Sequence, residues 1–179
     1  MADRDPLRRR GVERLAADRW GGGRSIGAAD TEGRELIVDQ VEVGEAPAPG
    51  GVAEVLGVEV GAGVCLRRRR YVVDGKPVSL ASSYLPAELV AGSAVVREDA
   101  GPGGIYARLG ELGVAPVHFR EEIRSRMPTQ VEAERLGLSV GTPVILVCRT
   151  AFTADGRAVE VNEMTLDSAS YVLEYDFDA

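Results

Sequence analysis

Four consecutive arginines, Arg67-Arg68-Arg69-Arg70, are the most unusual chemical feature of this 179-residue sequence. They lie in a β-branched run, Val64 to Val73, that reads as a strand, and strand side chains alternate between faces. Arg67 and Arg69 therefore share one face, and Arg68 and Arg70 share the other. An inward guanidinium is costly unless a carboxylate or a bound anion meets it. The competing reading is an exposed edge strand blunted by charge. Gly101-Pro102-Gly103-Gly104 precedes a helical stretch from Ile105, where free backbone N–H groups and the positive helix end favour an anion. As a motif this turn is weak, since glycine-rich turns precede many helices. It gains meaning beside the arginine strand, as a second anion-favouring feature.

Glu160 lies on a predicted returning strand and suits either hydroxyl recognition or pairing with an inward arginine. Ser82 and Ser83 end another returning strand, as strand-end hydrogen bonders or as ligand contacts. No partner base makes either a nucleophile. His118, the only histidine, alternates with Arg120 and Glu122 and is expected at the surface. A single histidine excludes most metal clusters and histidine-based triads. Cys65 and Cys148 lack metal-ligand spacing and read as small buried hydrophobes in a reducing, cytoplasmic setting. No catalytic group, metal or cofactor is expected.

Several elements must position these residues. Leu36–Val43 has strand periodicity, Gly44–Gly51 reads as a loop, and Val52–Leu56 as a short helix capped by Gly57. Val64–Val73 and Pro77–Tyr84 form a hairpin around Asp74-Gly75. Ile105–Leu112 is helical and ends at Gly113. In Val117–Met127, Phe119, Glu121, Ile123 and Ser125 fall on one side, and His118, Arg120, Glu122 and Arg124 on the other. Thr129–Leu136 is a helix ended by Gly137. Val144–Phe152 and Ala158–Leu166 form a second hairpin around Asp155-Gly156, and Tyr171–Phe177 is a last strand.

An internal repeat organises them. Residues 54–66 align with 134–146 at an offset of 80, matching Glu54/Glu134, Leu56/Leu136, Gly57/Gly137, Gly61/Gly141 and Leu66/Leu146, with Arg69 meeting Arg149. Two copies are too few for a solenoid. They predict an α+β domain, an antiparallel β-sheet with short helices packed on it and a pseudo-twofold relation.

The charge distribution is stepped. The whole chain is acidic, with 21 Lys and Arg against 28 Asp and Glu, a net charge of −7. That argues against nucleic-acid binding over its whole surface. The first 24 residues nevertheless carry seven arginines. That basic segment reads as a solvated leader or as a linker trailing a nucleic-acid-binding module, with a flexible junction at Gly21–Gly23. Residues 1–34 are thus assigned to a leader or linker and 35–179 to the folded domain. No apolar stretch is long enough to span a bilayer.

Leu66-Arg67-Arg68-Arg69-Arg70, Asp74-Gly75-Lys76-Pro77-Val78 and Ser82-Ser83-Tyr84-Leu85-Pro86 together resemble the first half of the UTRA domain. That is the ligand-sensing domain of GntR-type transcription regulators of the HutC branch. Arg124-Ser125-Arg126-Met127-Pro128, Glu132–Leu136, Gly141-Thr142-Pro143-Val144, Arg149, Asp155-Gly156 and Val159-Glu160 resemble its second half. The resemblance implies a chorismate-lyase-like fold, a homodimer, and a small effector in a cleft beside the sheet. It also implies DNA binding only through a winged helix-turn-helix not seen before Arg8. In sugar-phosphate-sensing members, strand arginines and the helix start hold the anionic group. These positions fall here at Arg69, at Gly103, Gly104 and Ile105, and, through the repeat, at Arg149. Gly104 stands where those members carry serine, and Glu160 where a carboxylate contacts sugar hydroxyls. The second strand arginine falls at Tyr71 and a second carboxylate at Ala81, which weakens the expectation of a sugar phosphate and leaves another small, anionic metabolite. A small lyase acting on chorismate or a relative, and a dimerisation module that titrates a full-length regulator, are the alternatives.

Overall fold

The computed structural model describes residues 5–18, 31 and 33–178. The expected junction at Gly21–Gly23 lies outside them. Among the described residues there are eight strands: β1 (Leu7–Arg10), β2 (Leu36–Pro47), β3 (Gly63–Val73), β4 (Lys76–Pro86), β5 (His118–Arg126), β6 (Val144–Phe152), β7 (Ala158–Asp167) and β8 (Tyr171–Glu174). The α-helices that lie wholly among the described residues are α1 (Gly50–Leu56), α2 (Ala87–Val90), α3 (Gly104–Glu111) and α4 (Gln130–Leu136). Six strands make one antiparallel sheet in the order β2-β3-β4-β7-β6-β5. The repeat is visible in that order: α1-β3-β4 and α4-β6-β7 meet at the central β4–β7 pair, with β2 and β5 outermost. No described helix is long and apolar enough to cross a membrane.

Each copy covers the sheet in the same way. Val52, Ala53 and Leu56 of α1 pack with Val64, Tyr84 and Val161. Leu136 of α4 packs with Leu80 and Val144. Gly57 and Gly137 end these helices at φ 67° and 60°, in the left-handed region that glycine enters without steric cost. The opposite face carries the larger core, where Ile105, Tyr106 and Leu109 of α3 meet Cys65, Leu85, Ala151 and Val159. Cys65 is buried, while Cys148 is only half-buried.

Two segments differ from the sequence reading. Gly44–Pro47, expected as loop, continues β2, whose register against β3 shifts between Asp39 and Glu42 while Gln40 takes φ 48°. The bulge is confined to Gln40 and Val41, and Gly44–Pro47 pair regularly with Leu66 to Gly63 at the end of this outermost strand. In the basic leader, Leu7–Arg10 is not a solvated tail. It pairs in parallel with β8, burying Leu7 and Arg9 and exposing Arg8 and Arg10. Period-two alternation with Leu7 inward supplies the reason, since Leu7 joins a small core with Val73 and Val78.

The second-copy helix has a capping box: Thr129 Oγ1 accepts the Glu132 amide at 3.3 Å, and the Glu132 carboxylate accepts the Thr129 amide at 2.8 Å. Arg126 adds bonds of 2.7 and 2.8 Å to the same carboxylate. With Arg126 as the largest cause, the Glu132 carboxyl is lowered to about 2. Its stabilisation is therefore complete above the ordinary glutamate range and disappears as pH falls through about 2. Glu132→Gln should lower stability by about 1 kcal/mol at pH 7 and by almost nothing at pH 2. Urea denaturation at the two pH values measures this.

Candidate functional site

The arginines of β3 divide by face as strand geometry requires. Arg68 is exposed beside Glu42, and Arg70 makes bonds of 2.7 and 2.8 Å to Asp39 and one of 3.0 Å to the Arg135 carbonyl. Arg67 and Arg69 turn to the covered face. Arg67 is only 2% exposed, yet it meets neither a carboxylate nor an anion. Its guanidinium donates to the carbonyls of Val95, Arg97 and Glu98. Backbone oxygens thus meet both terminal nitrogens of the buried guanidinium, and Arg67 clamps the segment that leads into α3.

Arg69 belongs to a different setting. A cavity of about 130 Å³ opens between the sheet and the start of α3. Arg69, Gly103, Gly104, Ile105, Arg149 and Glu160 all line it. Ser83 does not; it sits behind Arg69 and accepts a 3.0 Å bond from Nη2. Ser82 is one residue out of phase, on the other face beside the β7 residue Glu163. Tyr71 and Ala81 also line the cavity.

Glu160 shares its strand face with Asn162, Met164 and Leu166, and a β-bulge lies just before it. Ala151 pairs with Glu160 and Phe152 with Ala158, so Val159 is the extra residue. Val159 enters the core under α3 and the fully buried Glu160 carboxylate enters the site. Tyr106, from the first turn of α3, donates a 2.5 Å bond to Glu160 Oε2. Burial and the adjacent Glu160 carboxylate push the Tyr106 hydroxyl well above its usual range, so it remains a donor.

Arg149 is 3% exposed and donates to Glu121 Oε1 at 3.0 Å and to the Tyr106 hydroxyl at 3.5 Å. Burial opposes its charge, but Tyr106, Glu121 and Glu160 outweigh burial and hold the guanidinium more firmly protonated than usual. Glu121, on β5, is 8% exposed. Burial would raise its carboxyl; the Arg149 and Arg9 charges prevail and lower it. Arg149 and Glu121 therefore stay ionised as a pair.

Sequence reasoning missed Arg9, Arg14, Glu121, Tyr106 and Asn162. Arg9, Arg14, Tyr106 and Asn162 line the cavity, and Glu121 lies directly behind Arg9 and Arg149. Four guanidiniums, those of Arg9, Arg14, Arg69 and Arg149, thus face two carboxylates, Glu121 and Glu160. Arg69 Nε, Arg149 Nη2, Glu160 Oε1 and Asn162 Oδ1 have no hydrogen-bond partner among the described residues. Leu7, Leu36, Tyr71, Val73 and Leu166 form an apolar wall. Such a site suits a small anion that also carries an apolar body.

The backbone explains how α3 approaches so closely. Gly101, Gly103 and Gly104 have φ of 79°, 78° and 64°. At Gly104 an added Cβ would meet no atom within 4 Å. Its glycine therefore answers to the left-handed backbone and not to crowding, whereas the serine of sugar-phosphate-sensing members would be strained here.

Comparison with known proteins agrees with this architecture. Residues 31–171 match the UTRA domain. An uncharacterised HTH-type transcriptional regulator of Streptomyces coelicolor is 32% identical over 180 residues, covering 96% of this chain and 67% of that protein. The HTH-type transcriptional repressor PhnF of Mycolicibacterium smegmatis is 32% identical over 109 residues, covering 61% of this chain and 44% of that protein. The crystal structure of the PhnF effector domain from Mycobacterium smegmatis superposes with a TM-score of 0.78 at 24% identity, covering 97% of this chain and all of that one. The fold is the expected α+β, chorismate-lyase-like one. The chain belongs to the UTRA family, the effector-binding domains of GntR-type transcriptional regulators of the HutC branch.

Proposed function

We propose that this domain senses a small anionic effector in the cavity beside β3, β6 and β7, without catalysing its conversion. The observation that carries this reading is the convergence of four arginines on one cavity against two carboxylates. The apolar wall, with Tyr71 and Ala81 among its neighbours, favours an acid with a compact apolar body over a sugar phosphate. Tyr106, Glu160 and Asn162 add a donor and acceptors for a hydroxyl or amino group on the same molecule. Relatives described as HTH-type transcriptional regulators support a cytoplasmic role in transcription, not in metabolism. The domain works as a homodimer, and effector binding shifts the dimer between arrangements that present a winged helix-turn-helix differently to DNA. Such a shift cannot exceed the effector's differential affinity for the two arrangements.

A thermal-shift screen against neutral sugars, phosphosugars, carboxylates and amino acids tests the reading. An effector at 100 times its Kd adds about 2.7 kcal/mol, which raises Tm by roughly 5–11 °C at this chain length. Carboxylates are expected to give the largest rise and neutral sugars none. A Tm indifferent to every class would overturn the proposal.

A further inference from the structure

The effector cavity has one wall that belongs neither to the large sheet nor to α3. Leu7 and Arg9 of β1, with Arg14 from the short 3₁₀ turn that follows, line it. Arg9 is 2% exposed, and its two terminal nitrogens reach Glu121 Oε1 and Oε2 at 2.7 and 3.1 Å. The same carboxylate accepts Arg149 Nε at 3.0 Å and the Tyr175 hydroxyl at 3.3 Å. Glu121 therefore joins the N-terminal segment, the C-terminal segment and a cavity arginine.

We propose that β1 is a detachable wall of the effector site, with Arg9 an affinity-determining residue and Glu121 the latch that positions it. The inference rests on reading the cavity as the effector site. Docking β1 brings the charges of Arg9 and Arg14 toward those of Arg69 and Arg149. A bound anion between them adds an attraction to Arg9 and Arg14 that exists only when β1 is docked. Anion binding and β1 docking must then strengthen each other by the same factor. β1 is suited to respond. It has four residues, has β8 as its strand partner among the described residues, and leaves the six-stranded sheet complete without it. Short, peripheral elements open at lower free energy than the core. Gly11, just beyond β1, lies against Tyr175: an added Cβ would fall 2.3 Å from Cε1 of that ring. The two terminal segments thus seat together over Glu121.

The experiment uses the whole chain with inorganic phosphate and benzoate as probes. Calorimetric titration and hydrogen exchange over residues 5–15 are measured with and without saturating anion. The expected results are at least tenfold slower exchange at Arg8–Arg10 with anion bound, and at least tenfold weaker anion binding in Arg9→Gln. Arg9→Lys should recover part of that affinity, because it restores charge without the fork that grips Glu121. A purely structural Arg9 would lower Tm in Arg9→Gln and leave anion affinity unchanged. That outcome, or wild-type exchange that ignores saturating anion, overturns the detachable wall while the effector reading stands. Wild-type protein that binds neither anion overturns both. The wild-type exchange measurement decides the matter even if Arg9→Gln fails to fold.

Discussion

Arg149→Ala should remove about 3–5 kcal/mol of folding stability at pH 7, the cost of leaving buried charges unmatched. Arg149 touches both Glu121 on β5 and the Tyr106 hydroxyl that serves Glu160. Without it, Glu121 keeps Arg9 and Tyr175, but the fully buried Glu160 loses a compensating charge. The change in acid response follows from the sign of the Glu121 shift. A carboxyl held below its ordinary range stabilises the fold above that range and loses the contribution as pH falls through its native value. Arg149→Ala should weaken that dependence, so variant and wild type approach each other in acid. Urea denaturation at pH 7 and pH 3 measures both effects. Arg149→Lys should recover a minority of the loss, since a point charge cannot meet Glu121 and Tyr106 together. A loss below about 1 kcal/mol for Arg149→Ala would mean that water, and not Arg149, balances these carboxylates.

The parts of the site that the sequence revealed are those set by alternation or by the repeat. Strand phase separates Arg67 and Arg69 from Arg68 and Arg70, and the offset of 80 carries Arg69 to Arg149. The same phase had already placed Glu121 with Phe119 and Ile123 on one side of its strand. That was the available sign of an inward carboxylate, but nothing in β5 says which arginine it faces, because Arg9 is 112 positions away. Arg9 shows the opposite difficulty. Leu7-Arg8-Arg9-Arg10 alternates as cleanly as the β3 arginines do, yet four residues in a basic, glycine-terminated segment look like a solvated tail until β8 is beside them. Ser82 and Ser83 could not both serve one cavity, since neighbours on a strand face opposite ways. Glu160 reaches the site by plain alternation with Asn162, Met164 and Leu166, whereas Val159 joins the same face only through the bulge, a feature of register that pairing alone exposes.

The distribution of partners also separates two kinds of buried arginine that look alike in sequence. Arg67 places both terminal nitrogens on backbone carbonyls, although its Nε, like that of Arg69, has no partner among the described residues. Its task is to hold the chain before α3, which fixes the glycine turn over the cavity. Arg69, two residues on, has one hydrogen bond, to Ser83, and an Nε with no partner among the described residues. A protein retains such an incompletely satisfied cation when something else completes it, because an unmatched buried donor costs about 1–3 kcal/mol.

That contrast fixes the second large effect. Arg69→Ala should weaken anion binding by about 10- to 150-fold, the equivalent of one charge-assisted interaction of 1.5–3 kcal/mol. Folding stability should change by less than about 1 kcal/mol, since the only bond lost is to a serine hydroxyl and a repulsive charge leaves with it. Arg67→Ala should do the reverse. It strands the carbonyls of Val95, Arg97 and Glu98, lowers stability by several times more than Arg69→Ala, and affects binding only through the position of α3. Titrating benzoate or inorganic phosphate into both variants, with urea denaturation of each, gives the two-by-two comparison. If Arg69→Ala binds the anion as wild type does while Arg67→Ala does not, the roles are exchanged. The anion would then be held by the backbone at the start of α3, and the β3 arginine beside it would act only on the electrostatic balance of the cavity.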